Sequence, residues 1–493
     1  MRRLKLQEDG AIDLHDNNNK VGVANDNFDG IAQASTISDA TDINIDELCK
    51  EDSTDVHKAK QSCPIFSKNK CCKIFIVFLM CCIVFSTYVL LELPVGMAKT
   101  IIEVMQLTTT QYNVLYSLFF LPTILLAPVG GLITDKFRAE RSLPMFLLSC
   151  CLGQILLSIG SFLGHYWLMI VGRVLTGAGG MVFVCLSSYI ASFFTRHINL
   201  MNGILLGTAR LGATLSVNLN SQFYSSLSSH ATNHHTRLGI VLLLSVVLIL
   251  IAFICSLLLW YTRRYVKPAL YKRRSVTCNY RNWSCPSLYF VVLALVAGVF
   301  YAAVLTPTSV GELYYMHKYR ISLAISNLIN SFVHILPVFL CPLFGLIINQ
   351  VGYNPVWILI AVLTGTLSHF LLAYSNDSQS YAYIGSFIGG ASYSMFTSSI
   401  WPMVSLIVKP EFIGLGYGIQ QAVISCFQVL VASTVGSVAD NYGYFMVQLY
   451  YIALSMISLS LVLLLNMIDY TSHREKRVNM SKTKRKLRNK EKL

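Results

Sequence analysis

Glu92, Arg173, Arg210, Glu312, His334 and His369 interrupt long apolar runs, where an ionisable side chain is costly and marks either function or a dedicated partner. Arg210 has the widest chemistry. A guanidinium can grip a carboxylate through two parallel N–H donors, and Asn218 and Asn220 follow it roughly two and three turns on. The competing role is a structural ion pair with an acid elsewhere in the chain. Glu92 stands in Leu91-Glu92-Leu93-Pro94, where the proline frees a backbone carbonyl and distorts the end of the run. Its carboxylate can receive an amine, partner Arg210 or reach toward the interface. Glu312 lies close to the edge of its run, where ordinary solvation is the simpler role. His334 and His369 can sense acidity, since histidine titrates near physiological pH, or serve as hydrogen-bonded structure. Tyr301 and Trp401 offer amphipathic aromatic surface suited to a pocket, or plain packing.

A second set of residues is defined by repetition. Pro128-Val-Gly-Gly-Leu-Ile-Thr-Asp135 recurs as Pro342-Leu-Phe-Gly-Leu-Ile-Ile-Asn349, with Gly131 and Gly345 as matching anchors 214 positions apart (345 − 131). Each copy closes an apolar run. The glycines remove a side chain where two helices approach closely. Asp135 can accept hydrogen bonds from the N-terminus of a neighbouring helix, best supplied by the one opening at Gly414-Leu-Gly-Tyr-Gly418. Such a latch would hold one side of the molecule closed, with Lys136, Arg138 and Arg141 pairing with acids across the seam. The bland reading is a polar connecting turn. Asn349 replaces the acid in the second copy, so any pair of latches is unequal.

The elements that must position these residues are membrane helices. The chain is 54% hydrophobic and 13% charged, against about 25% charged in soluble domains. Crossing a bilayer core of about 30 Å takes roughly 20 apolar residues. Twelve candidate spans are predicted near 73–95, 112–133, 142–163, 167–194, 201–223, 238–261, 287–309, 322–348, 355–374, 382–406, 413–437 and 443–467. The net charge of +14 is concentrated. Residues 261–286 hold seven Lys/Arg and no acid, and residues 471–493 hold ten Lys/Arg against Glu475 and Glu491. Basic loops stay cytosolic, so both segments and both termini are expected in the cytosol, with anionic lipid as the partner of the tail and no nucleic acid. The expected layout is a disordered cytosolic tail over 1–70, a six-helix half over 71–260, a basic loop over 261–286, a second half over 287–468 and a basic tail over 469–493.

Parallel six-span halves joined in this way imply a substrate site near the bilayer midplane between them and transport by alternating access. No phosphate loop, nucleophile elbow or metal-spaced Cys/His set appears, so neither an enzyme nor a cofactor or metal site is expected.

Gly131-Leu-Ile-Thr-Asp135-Lys136 and Arg173-Val-Leu-Thr-Gly177-Ala-Gly179-Gly180 resemble the signature loop and the fourth-helix motif of the major facilitator superfamily. The likeness to the fourth-helix motif gives Arg173 a coupling or helix-packing role. A narrower likeness, to that superfamily's lysosomal dipeptide transporters, runs through Asn199-Leu200, Ala209-Arg210-Leu-Gly212, Asn218-Leu-Asn220, Leu367-Ser-His369 and Ser399-Ile-Trp401-Pro402. It implies a uniporter moving dipeptides from lysosome to cytosol, with a glycosylated single-span accessory subunit. Met181 departs from it, standing where family members carry an acid after the double glycine. The other readings are a carrier of a different small solute, such as an amino acid or organic anion, proton-coupled or not, at the lysosomal or plasma membrane, and a non-transporting scaffold or receptor.

Overall fold

In a computed structural model, residues 70–229, 233–262 and 287–471 are described. The expected tail over 1–70 lies outside them, apart from Lys70 at the start of the first helix. So do most of the basic loop and nearly all of the basic tail. The described residues build twelve long helical spans. The first six are α1 Cys71–Gly96, α2 Phe120–Phe137, α3 Ala139–Leu163, α4 Tyr166–Phe193, α5 Thr195–Ser229 and α6 His234–Thr262. The second six are α7 Leu288–Tyr319, α8 Ala324–Val351, α9 Asn354–Tyr374, α10 Gln379–Ile407, α11 Pro410–Ala439 and α12 Asn441–Thr471. All but α10 have the length and composition to cross a membrane. The tenth has the length, 29 residues, but its middle is rich in buried Ser, Thr and Gly. It is paid in hydrogen bonds to neighbours rather than in apolar surface.

Several spans are broken where the sequence requires it. The fourth-helix motif interrupts α4 between Thr176 and Gly179. There Thr123 of α2 donates to the Gly177 carbonyl at 3.1 Å, and a Cβ at Gly180 would meet the Thr123 side chain. Small residues let these two backbones close on each other. Pro307 restarts α7 after Leu305. Gly443, at φ 81°, supplies the positive-φ residue that breaks the helix near the start of α12.

Within each half, polar side chains knit neighbouring helices, since apolar contacts alone give no preference over lipid. Gln154 of α3 donates to Ser245 of α6 at 2.7 Å, and Ser158 donates to the Gly239 carbonyl at 2.8 Å. In the second half Ser368 of α9 donates to the Gly385 carbonyl and Ser392 of α10 to the Ala361 carbonyl, at 2.7 and 2.6 Å.

The two halves meet along α2 against α11 and α5 against α8. Both seams are tight at the end bearing the α2–α3 and α8–α9 turns. A Cβ at Gly131 would run into the Gly414 carbonyl and Leu415 Cα. A Cβ at Gly345 would meet the Asn199 carbonyl and Leu200 Cα, the matching place on α5. Farther along α11 one face opens, with nothing within 4 Å of a Cβ at Gly436 and Leu430 55% exposed, while Val431 and Val435 on the other face stay buried. The repeat is visible in the backbone as well. Arg138 and Gly352, each seven residues past its anchor glycine (131 + 7, 345 + 7), have φ of 72° and 89°.

Candidate functional site

Arg210 comes from the middle of α5, buried to 6% exposure, and points across the boundary between the halves. Its Nε and Nη2 both donate to the Tyr393 hydroxyl of α10, at 3.0 and 2.5 Å. Its Nη1 lies 3.3 Å from His334 Nδ1 of α8. Because a guanidinium can only donate, that histidine nitrogen is the acceptor. The guanidinium carbon also lies 4.9 Å from the Tyr393 ring centroid and 5.9 Å from that of Tyr88 on α1. Arg210 is thus held by a hydroxyl and an imidazole of the other half; the structural alternative of an acid from that half is not what the structure shows. These neutral partners satisfy the donors without neutralising the charge.

Below Arg210 lies a column of aromatic side chains. The Tyr393 ring stands edge-on to Tyr301 of α7 at 5.8 Å, and the Tyr301 hydroxyl accepts from Trp401 Nε1 at 2.6 Å. The Trp401 ring meets Phe183 of α4 edge-on at 4.6 Å and stacks over Tyr417 of α11 at 6.0 Å. Tyr301 and Trp401, both singled out in the sequence, therefore meet each other directly at the boundary between the halves.

Glu92 is one helical turn beyond Tyr88 on the same face of α1. It is half-buried, and Arg210 and Arg173 are its charged neighbours. It makes no hydrogen bond or ion pair among the described residues, so its carboxylate remains available. Arg173, fully buried in α4, donates to the Leu91 carbonyl at 3.0 Å and the Leu90 carbonyl at 3.5 Å. The second is the carbonyl that Pro94, lacking an N–H, leaves without its helical partner. The guanidinium also sits 5.0 Å over the Phe119 ring. Arg173 therefore braces the stretch of α1 that carries Glu92. Arg173→Leu is expected to cost roughly 2–3 kcal/mol, as buried carbonyls lose a charged donor. A thermal melt of the purified protein checks this, and an unchanged midpoint would reject the brace.

The remaining candidates lie outside this cluster. Asn220 is buried but its amide donates to Ser216, at 2.8 Å to the carbonyl and 2.9 Å to Oγ, while Ser216 donates to the Val89 carbonyl at 2.7 Å. That network fastens α5 to α1. Asn218 is exposed and donates to its own helix at Thr214 O, 2.7 Å away. Glu312 is half-buried near the far end of α7, and its backbone carbonyl accepts from Ser326 at 2.7 Å. His369 is buried within the second half, 3.3 Å from Gln448 Oε1 and stacked on Tyr451. Met181 is 1% exposed and its side chain fills the space beside Gly130.

At the tight end, Asp135 Oδ1 accepts from the Gly414 N–H and Oδ2 from the Leu415 N–H, both at 2.8 Å. Both donors belong to the first turn of the helix beginning at Ile413, whose free amides and positive dipole end favour a carboxylate. Asn349, the counterpart, places its Nδ2 3.2 Å from His197 Nδ1 at the start of α5. An amide pair, Asn354 Nδ2 to Asn199 Oδ1 at 3.1 Å, crosses the same seam. The two seams are therefore chemically unequal. Arg141 is exposed at the start of α3, and its side chain has no hydrogen-bond or ion-pair partner among the described residues.

Tyr393, His334 as a partner of Arg210, Phe183 and Tyr88 complete the site. No sequence spacing announces them, because each meets its partner across the boundary between separate helices.

Comparison with known proteins bears on the family and the fold. The Major Facilitator Superfamily model matches residues 74–375. The lysosomal dipeptide transporter MFSD1 of Mus musculus is 29% identical over 404 residues, 80% of this chain and 86% of that protein. The Homo sapiens and Danio rerio proteins of the same name are 28% and 29% identical, each covering 91% of that protein and 83% and 84% of this chain. Among solved structures, the transporter FucP in its outward conformation aligns with a TM-score of 0.63 at 14% identity, covering 79% of this chain and 98% of that one. The human organic anion transporter MFSD10 aligns at 0.58 and 12% identity, covering 79% and 98%. Fold and relatives alike are those of transporters, multi-pass in the membrane. With two six-span halves, the repeated glycine turn and a match over more than half its length, the chain belongs to the major facilitator superfamily.

Proposed function

We propose that the protein is a uniporter for dipeptides, carrying them from the lysosomal lumen to the cytosol by alternating access, and that it is not an enzyme. The observation that carries this reading is a guanidinium, Arg210, facing the other half at the boundary between the halves, with an available carboxylate, Glu92, as its charged neighbour on the same half. A dipeptide at neutral pH has a carboxylate at one end and an ammonium at the other. Arg210 suits the first and Glu92 the second. Tyr301 and Trp401 give the apolar wall against which side chains of varied shape can lie. The likeness to proteins named lysosomal dipeptide transporters supports both the cargo and the lysosomal address.

Orientation follows from charge. The basic segments 261–286 and 471–493 stay cytosolic, and they adjoin the end of α6, the start of α7 and the end of α12. By alternation of the spans, the Asp135 latch lies on that same side. The described state is then closed toward the cytosol, with Arg210 and Glu92 approached from the lumen. Release of the Asp135 and Asn349 seams would open the opposite side.

The two acids are expected to behave differently. Glu92→Gln should raise the KM for an unblocked dipeptide about tenfold, the worth of one charge-assisted bond, and leave an N-acetylated dipeptide unaffected. Glu312→Gln alone should change neither. Transport kinetics in proteoliposomes separate these outcomes. Intact transport of the unblocked peptide by the double variant would remove both acids from amine recognition.

A further inference from the structure

We infer that Tyr393 is a built-in placeholder for the substrate carboxylate, and that its displacement is passed through Tyr301 and Trp401 to the start of α11, where Asp135 holds the latch. This rests on the proposed role of Arg210 as carboxylate ligand.

The geometry at Arg210 is that of a carboxylate site filled by a single oxygen. Nε and Nη2 form the side of the guanidinium that a carboxylate takes with both oxygens. Here both donors converge on the Tyr393 hydroxyl. The hydroxyl keeps a buried charge from being left without acceptors, which is costly. Being neutral, it holds the guanidinium less strongly than a carboxylate does. A substrate can therefore evict it, and the empty site does not collapse onto an acid of its own.

Eviction has consequences because the surroundings leave no slack. Tyr393, Tyr301, Trp401 and Tyr417 are exposed by 1%, 5%, 3% and 0%, and interiors packed to this degree move between discrete arrangements rather than deform smoothly. The Tyr393 ring abuts Tyr301, whose hydroxyl is fixed by Trp401. Trp401 is wedged between Phe183 of the first half and Tyr417 of the second. Tyr417 lies on α11 two residues after Leu415, in the turn that follows the Gly414 and Leu415 amides that Asp135 accepts from. One continuous set of contacts thus joins the Arg210 donors to the latch.

The test uses the full-length protein in nanodiscs with two readouts: binding of Ala-Ala and of its C-terminal amide, and hydrogen–deuterium exchange at the Gly414 and Leu415 amides. Tyr393→Phe keeps the ring and removes the competitor. It should bind Ala-Ala about tenfold more tightly while binding of the amide is unchanged. It should also exchange the latch amides faster with no ligand present. Trp401→Phe should speed that exchange but leave the ratio of acid to amide affinity as in the parent. An equal loss of affinity for both peptides in Tyr393→Phe, or latch exchange unmoved by either variant, overturns the inference. If the parent protein binds neither peptide, the dipeptide reading fails, and ligand-free exchange alone decides whether the relay exists.

Discussion

Replacing Arg210 with glutamine is expected to lower kcat/KM for dipeptides by about a hundredfold or more, since bonds to a charged group are worth about 1.5–3 kcal/mol and each 1.4 kcal/mol is tenfold. Two donors are lost together, in a site withdrawn from water. Lysine should not rescue the activity. Its ammonium is a single compact charge, whereas the Tyr393 and His334 contacts use three separate nitrogens of one planar fork. The fold should survive the change, because the groups left behind are a hydroxyl and a neutral imidazole rather than a buried carboxylate. Transport assayed beside a thermal melt checks both halves of the expectation. Arg210→Lys retaining activity within about threefold would show that bidentate carboxylate binding is not needed.

The second large effect concerns the latch. Asp135→Asn preserves shape but removes the charge that faces the Gly414 and Leu415 amides. It leaves one oxygen where two now accept. The loss is that of a charged helix cap, about 1–2 kcal/mol, enough to shift a two-state balance by roughly tenfold toward the form open at that end. Gly131→Val acts by sterics and should be more severe. Its side chain would occupy the space of the Gly414 carbonyl, so α2 and α11 cannot close and the transport cycle stops. Exchange at the α11 amides should rise in both variants, and more in the second. If Gly131→Val leaves exchange and transport as in the parent, the seam is not a gate.

Much of this arrangement was legible in the residues. The recurrence of Gly131 and Gly345 gave two equivalent seams because close helix approach admits only small residues, whatever their surroundings. Asp135 pointed to Gly414 because a carboxylate after a glycine-lined helix end needs a donor set, and helix N-termini supply one. Arg210 stood out by the cost of burying charge. What could not be read was the pairing across the halves. Tyr393 is one tyrosine among 26, and nothing in its neighbours marks it as the group that meets Arg210. Asn218 and Asn220 illustrate the opposite limit. Spacing put them on the Arg210 helix, but both amides are used within α5, Asn220 in the seam with α1 and Asn218 on an exposed face. Arg173 had two open roles in the sequence, and the unpartnered carbonyl behind Pro94 gives one of them a physical cause.

The most direct test is uptake of labelled dipeptides into proteoliposomes containing the purified protein, with and without a pH gradient. Saturable uptake down the dipeptide gradient is expected, independent of an imposed pH gradient and abolished by Arg210→Gln. Absence of dipeptide flux from correctly folded protein would contradict it.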